Sequence, residues 1–243
     1  MPRFSIVTIT YNNCVGLAST IRSVGAQTFR DFEYIVQDGN SNDGSDLVVK
    51  GFHDWVDIYN QQADDGIYDA MNKALEHCSG DFTLFMNSSD VFVDSNVLEQ
   101  ANQLLVKGDE IVHGFSIDID SNLNHQYKPL NDMSFGMSFD HQATLVRTDI
   151  LKEMKFDDSL RIAGDLDFFC RCKVRGVNFR GVKLQFAKKP FSVGASTDYL
   201  TRFRERKLVL LRNFEQQQNE ITFRLKAELL EYADNLFESE PLN

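Results

Sequence analysis

Strand-like and helix-like segments alternate from the first residues, and four strands fall within the first 90 positions. Phe4 to Thr10 is rich in β-branched residues and reads as a buried strand. Leu17, Ile21 and Val24 then recur at helical spacing. Phe32 to Gln37 is a second apolar strand, and it runs into the turn-rich loop Asp38 to Ser45. Leu47 to Phe52 reads as helix and Val56 to Asn60 as a third strand. Ile67, Met71, Ala74, Leu75 and Cys78 form one apolar helical face, with Gly80 where a stop is expected, and Phe82 to Met86 is the fourth strand. Such alternation predicts an α/β fold, with a mostly parallel sheet covered by helices on both faces.

In sheets of this kind ligands bind beyond the carboxyl ends of the strands. Polar clusters stand at three of those ends: Thr10–Tyr11–Asn12, Asp38–Gly39–Asn40 and Asn87–Ser88–Ser89–Asp90. After a helix from about Ser95 to Val106 the alternation loosens. Glu110 to Ile117 reads as a strand, Asp118 to Pro129 as a hairpin or long loop, Asp165 to Arg175 as a short helix and Asn178 to Ala187 as a strand. The last forty or so residues are helical and charged. No linker divides the chain, so the expectation is one domain over 1–200 with a C-terminal helical extension over 201–243.

Composition narrows the function. The 243 residues are 42% apolar, enough for a sizeable core. The net charge of −11 argues against a general nucleic-acid binder, whose surface must be basic. The four cysteines contain no C-x-x-C pair, so reduced thiols are expected rather than a zinc site or a disulfide framework. No signal-peptide pattern and no apolar run of membrane-helix length is present, so the expected location is the cytoplasm, with the inner face of the membrane as a further option.

Four segments together resemble family 2 glycosyltransferases of the GT-A fold. They are Phe4 to Asn13, Gln27 to Ser45, Asp64 to Leu75 (DDGIYDAMNKAL) and Gly80 to Asp90 (GDFTLFMNSSD), in matching order and spacing. Shorter matches follow at Asp140 to Thr144, Ala163 to Phe168 and Gly194 to Ser196, so the resemblance covers roughly residues 4 to 200. It implies an inverting transfer of a sugar from a nucleotide-diphosphate donor, UDP-sugar favoured and GDP-sugar second. The implied acceptor is a glycan or a lipid-linked molecule in polysaccharide assembly.

Residue by residue, the resemblance places Thr10, Tyr11 and Asp38 at the base and ribose, and Asp65, Asn72 and Lys73 at the ribose and diphosphate. Tyr11 offers a flat face and Asp38 an acceptor. Many members carry two adjacent acids where this chain has Asp38–Gly39, which leaves the base open. Asn87 to Asp90 stands in the place of the D-x-D metal motif with Asp90 as its one acid, so an Mg²⁺ or Mn²⁺ ion is expected to be weakly held. Asp165, opening a helix, matches the general base that takes the acceptor hydroxyl's proton, and Asp167 is the second candidate. His141 and Gln142 are expected near phosphate or acceptor, and Ser196 over the diphosphate.

The stretch Arg202, Arg204, Arg206, Lys207 and Arg212, interleaved with apolar residues, suits a helix packed on the domain, on a second subunit or on a membrane surface. Two other readings stay open: a non-catalytic nucleotide-sugar binding module, and a nucleotidyltransferase on a similar sheet. The latter ordinarily needs a basic, Gly-rich first loop, whereas TYNNCVG has no basic residue before Arg22.

Overall fold

The computed structural model describes residues 1–118, 139–190 and 198–214. The alternation read from the first 90 residues forms as β1 (Phe4–Thr10), α1 (Cys14–Gly25), β2 (Phe32–Asp38), α2 (Ser45–Gly51), β3 (Ile58–Gln61), α3 (Ile67–Leu75) and β4 (Phe82–Phe85). These four strands pair in parallel, in the order β3-β2-β1-β4. The expected α/β architecture is therefore present.

The second half adds β5 (Val91–Phe92), α4 (Val97–Leu104), β6 (Ile111–Asp118), β7 (Thr144–Arg147), α5 (Thr148–Met154), α6 (Gly164–Val174), β8 (Phe179–Lys189) and α7 (Tyr199–Asn213). The eight-stranded order is β3-β2-β1-β4-β7-β6-β8-β5. β7 lies antiparallel between β4 and β6, so the sheet is mixed beyond β4. The hairpin expected over 118–129 falls, from residue 119 on, outside the described residues, as do Ser196 and the part of the expected C-terminal extension beyond 214.

Period-two alternation divides the strand side chains between two cores. Val7 and Ile9 of β1, Ile35 of β2 and Phe85 of β4 face one side, with Met71, Ala74 and Leu75 of α3 and Phe168 and Phe169 of α6. Phe4, Ile6, Tyr34, Val36 and Leu84 face the other, with Leu17, Ile21 and Val24 of α1 and Val97, Leu98 and Ala101 of α4. Every β1 side chain is buried, in keeping with the buried, β-branched strand read from the sequence.

α7 packs on α6. Val209 and Leu210 enter the core beneath it, and Arg212 reaches Asp167 at 2.5 Å and Asp157 at 2.9 Å. Among the described residues no helix is long and apolar enough to cross a membrane.

Candidate active site

Because β1, β2 and β4 are parallel, the three polar loops meet at one end of the sheet, and hydrogen bonds lace them together. Asn12 N donates to Ser41 Oγ at 2.8 Å, and Asn42 N donates to Asn12 Oδ1 at 3.0 Å. Asn13 Nδ2 donates to Ser88 Oγ at 3.1 Å and Ser89 Oγ at 3.0 Å, while its Oδ1 caps α1 through Gly16 N. Cys14 N donates to Asp43 Oδ2 at 2.7 Å. The rim is thus a prebuilt surface.

Asp165 sits in the first turn of α6, at the centre of a bonded group. Its Oδ2 lies 3.1 Å from His141 Nδ1, and its Oδ1 accepts from Tyr68 Oη at 3.3 Å and from Leu166 N at 2.7 Å. The other imidazole nitrogen, His141 Nε2, lies 3.2 Å from Asn87 Nδ2. The Nδ1 side of the ring faces the carboxylate and the Nε2 side faces the Asn87 amide. Burial, and then the Asp165 charge, hold the Tyr68 phenol well above its ordinary pKa, so it stays protonated and donates. His141 thereby bridges Asp165 to the Asn87–Asp90 loop.

The peptide run before Asp165 is clamped from both sides. Glu205 of α7 accepts from Arg161 N at 2.8 Å, Ile162 N at 2.8 Å and Ala163 N at 2.9 Å. The one hydroxyl hydrogen of Tyr68 is shared between Ile162 O at 2.5 Å and Asp165 Oδ1 at 3.3 Å. A Cβ on Gly164 would lie 2.6 Å from the Tyr68 ring, so glycine is what lets that ring cover the start of α6.

Several expected site residues stand differently. Asp38 is 0% exposed; its Oδ2 accepts from Tyr59 Oη and its Oδ1 from Ser41 N, both at 2.8 Å. Each oxygen of this carboxylate thus already accepts a bond that builds the loop. Asn72 is likewise committed, exchanging bonds with the backbone of Phe156 at 2.9 and 3.0 Å. Lys73 pairs with Asp69 at 2.7 Å, a bond that raises its pKa, and also donates to Ala63 O. Asp65 is exposed on the turn before α3. Tyr11, 65% exposed, keeps the open flat face expected of it. Thr10 is buried, and its Oγ1 has no hydrogen-bond partner among the described residues.

Asp167, the second candidate base, is 0% exposed and bound by Arg171 at 2.7 Å and by Arg212. It ties α6 to α7 and does not face the rim. Asp90 is also turned inward. It is 4% exposed, and its Oδ2 accepts from Asn87 N at 3.0 Å. Burial pushes its pKa up to about 6, against the lowering effect of His141 and of a hydrogen bond from the buried Gln142. An ion-facing carboxylate was expected here; the structure puts that group beneath the loop. Glu205 carries no mark in the sequence beyond its residue type, and Tyr68 lies in a matched segment, Asp64 to Leu75, without being singled out there.

The family model described as Glycosyl transferase family 2 matches residues 5–166, the span that contains every element of the rim. The chain is a family 2 glycosyltransferase. An uncharacterised glycosyltransferase of Mycobacterium tuberculosis is 30% identical over 179 residues, covering 70% of this chain and 68% of that protein. Among solved structures, residues 1–349 of TarS from S. aureus with UDP-GlcNAc match at a TM-score of 0.71 and 19% identity, covering 91% of this glycosyltransferase and 70% of the other chain. Against a longer TarS structure the match covers only 43% of that chain. The mannosyltransferase PcManGT of Pyrobaculum calidifontis, in complex with GDP-Man and Mn²⁺, matches at a TM-score of 0.65 and 16% identity, over 88% of this chain and 64% of its own. These likenesses identify the glycosyltransferase's fold as GT-A.

Proposed function

We propose that this glycosyltransferase inverts. It moves a sugar from a nucleotide-diphosphate donor, a UDP-sugar before a GDP-sugar, to a hydroxyl of a glycan or lipid-linked acceptor. The observation that carries the reading is Asp165, a half-buried carboxylate at the rim that His141, Tyr68 and Leu166 N hold in place. Such a group stands ready to take a proton in a fixed geometry. As the acceptor oxygen attacks the anomeric carbon from the face opposite the diphosphate, Asp165 takes the hydroxyl proton. The bond from that carbon to the diphosphate oxygen breaks, and the configuration inverts.

Thr10 and Tyr11 line the side of the rim where the base and ribose of the donor lie in this reading. Asp38, Asn72 and the Lys73–Asp69 pair shape the walls from behind. Gln142 steadies Asp90, and Asp65 stands at the entrance.

A divalent ion asks for about six to eight oxygen ligands if it is calcium-like and about six if it is Mg²⁺. The residues present do not make such a site. Asp90 is turned inward, Asn87 Oδ1 is a single neutral oxygen, and among the described residues no three His, Cys, Asp or Glu side chains converge. No step is therefore assigned to an ion, and any Mg²⁺ or Mn²⁺ would be carried mainly by the phosphates of the donor. On the far face of α7, Leu200, Leu208, Arg204 and Lys207 are exposed, which is where contact with a membrane or a second copy is proposed. In the same reading the working domain of 1–200 needs α7 as its brace.

The test is a transfer assay with α-linked UDP-sugars, with sugar transfer read separately from nucleotide release. Proton NMR of the product should show a β-linkage. An α-linkage, or nucleotide release with no transfer to any glycan or lipid-linked acceptor, would remove the inverting reading.

A further inference from the structure

α6 begins without a capping device of its own. Its N-cap is Ala163, which makes no side-chain bond to the first turn, and the third helical position, where an acid can reach back to the N-cap N–H, is Leu166. The approach to the helix is fixed from another element instead. Glu205 of α7 is half-buried, and its Oε1 accepts from Arg161 N at 2.8 Å, while its Oε2 accepts from Ile162 N at 2.8 Å and Ala163 N at 2.9 Å. The peptide between Ile162 and Ala163 is therefore held at both poles, its C=O facing the Tyr68 hydroxyl at 2.5 Å and its N–H bound to Glu205.

Two residues further on stands Asp165. A helix turns about 100° and rises about 1.5 Å per residue, so a start displaced by one residue swings the Asp165 carboxylate away from His141 and Tyr68. α7 lies wholly beyond residues 5–166, the span matched by the family model, so this hold on the base comes from outside that span. Nor does α7 need the Glu205 bonds to stay in place. Val209 and Leu210 are buried in the core, and Arg212 pairs with Asp157 at 2.9 Å and with Asp167 at 2.5 Å.

We propose that Glu205 is a positioning residue for sugar transfer: it fixes where α6 starts, and so where the Asp165 carboxylate points. This rests on the reading of Asp165 as the base. It makes α7 part of the catalytic machinery, acting through Asp165 and touching no substrate.

The test compares the full chain as wild type, Glu205→Ala, Asp165→Asn and Val209→Ala. The first readout needs no substrate. With ¹⁵N-labelled histidine, the His141 signals are those lost in His141→Gln, and Nδ1, 3.1 Å from Asp165 Oδ2, reports where the carboxylate stands. Glu205→Ala should move that resonance in the same direction as Asp165→Asn. Val209→Ala, which trims a buried side chain of α7 and keeps Glu205, should leave it in place. The second readout is transfer from an α-linked UDP-sugar. Glu205→Ala should lower kcat by about 10–100-fold, the range for misplacing a reacting group by an ångström or so, with UDP affinity unmoved. Glu205→Gln, which keeps one oxygen for these N–H groups, should fall between Glu205→Ala and wild type in both readouts. Added to Asp165→Asn, Glu205→Ala should cost nothing more, because no base is left to position. An unmoved His141 Nδ1 resonance in Glu205→Ala, or losses that multiply in the double variant, overturns the assignment and leaves Asp165 as the base. Wild-type turnover by Asp165→Asn overturns the reading of Asp165, and this assignment with it.

Discussion

Asp90→Asn should stabilise the protein near neutral pH, although it removes a residue that the sequence marks for function. In the folded chain burial carries the Asp90 carboxyl from an ordinary 3.8 to about 6. Its folded pKa therefore lies above its unfolded one, and ionisation costs more in the folded state than in the unfolded state. Below about pH 4 both states hold the proton and there is no penalty. Between about pH 4 and 6 the unfolded chain loses its proton first, and stability falls as pH rises. Above about pH 6 the penalty is constant, about 3 kcal/mol at roughly 1.36 kcal/mol for each tenfold change in proton affinity. Asparagine never ionises, so it avoids the penalty, but it gives up a charged acceptor for Asn87 N, and roughly 1–3 kcal/mol of net gain is left. For a chain of this size that is a rise in Tm of about 3–9 °C at pH 7.5. Thermal melts of both proteins from pH 4.5 to 8 give the answer. The gap should open between about pH 4 and 6 and then stay level. A variant less stable than wild type at pH 7.5, or a gap independent of pH, would refute the buried, burdened carboxyl.

Two further changes probe the clamp around Asp165. Glu205→Gln puts an NH₂ against backbone N–H groups of 161–163; urea denaturation should show a loss of about 1–3 kcal/mol, and steady-state kinetics should show kcat falling several-fold with UDP affinity unmoved. Gly164→Ala drives a Cβ into the Tyr68 ring, and chemical denaturation should register the overpacking as a loss of about 1–3 kcal/mol.

The first half of the fold was legible because its signals are local. The β-branched and apolar runs of β1, β2 and β4, and the 3.6-residue face of α3, are each complete within a dozen residues. β7, β5 and α5 were not read. β5 is two residues long, and β7 and α5 are short and adjoining. β7 gains its place by pairing antiparallel with β4 and β6, a contact no local pattern records. At the site, Asp165 was visible as an acid opening a helix. Its partners were not, since Tyr68 meets it across 97 positions, and Glu205 meets Arg161 across 44. Asp38 and Asn72 show the converse. The sequence marks them as polar residues of a nucleotide-binding pattern, yet folding uses their oxygens internally, on Tyr59, Ser41 and Phe156.

The central claim is that Asp165 takes the proton of the acceptor. Asp165→Asn preserves size and can still accept from Tyr68 and Leu166 N, but it cannot serve as a base. The decisive measurement is kcat for sugar transfer by this variant, alongside calorimetric affinity for UDP. The account predicts a fall in kcat of about 10²–10⁴-fold, with UDP affinity unchanged, because the carboxylate meets the acceptor and not the nucleotide. Transfer at close to the wild-type rate by a correctly folded Asp165→Asn protein would contradict it.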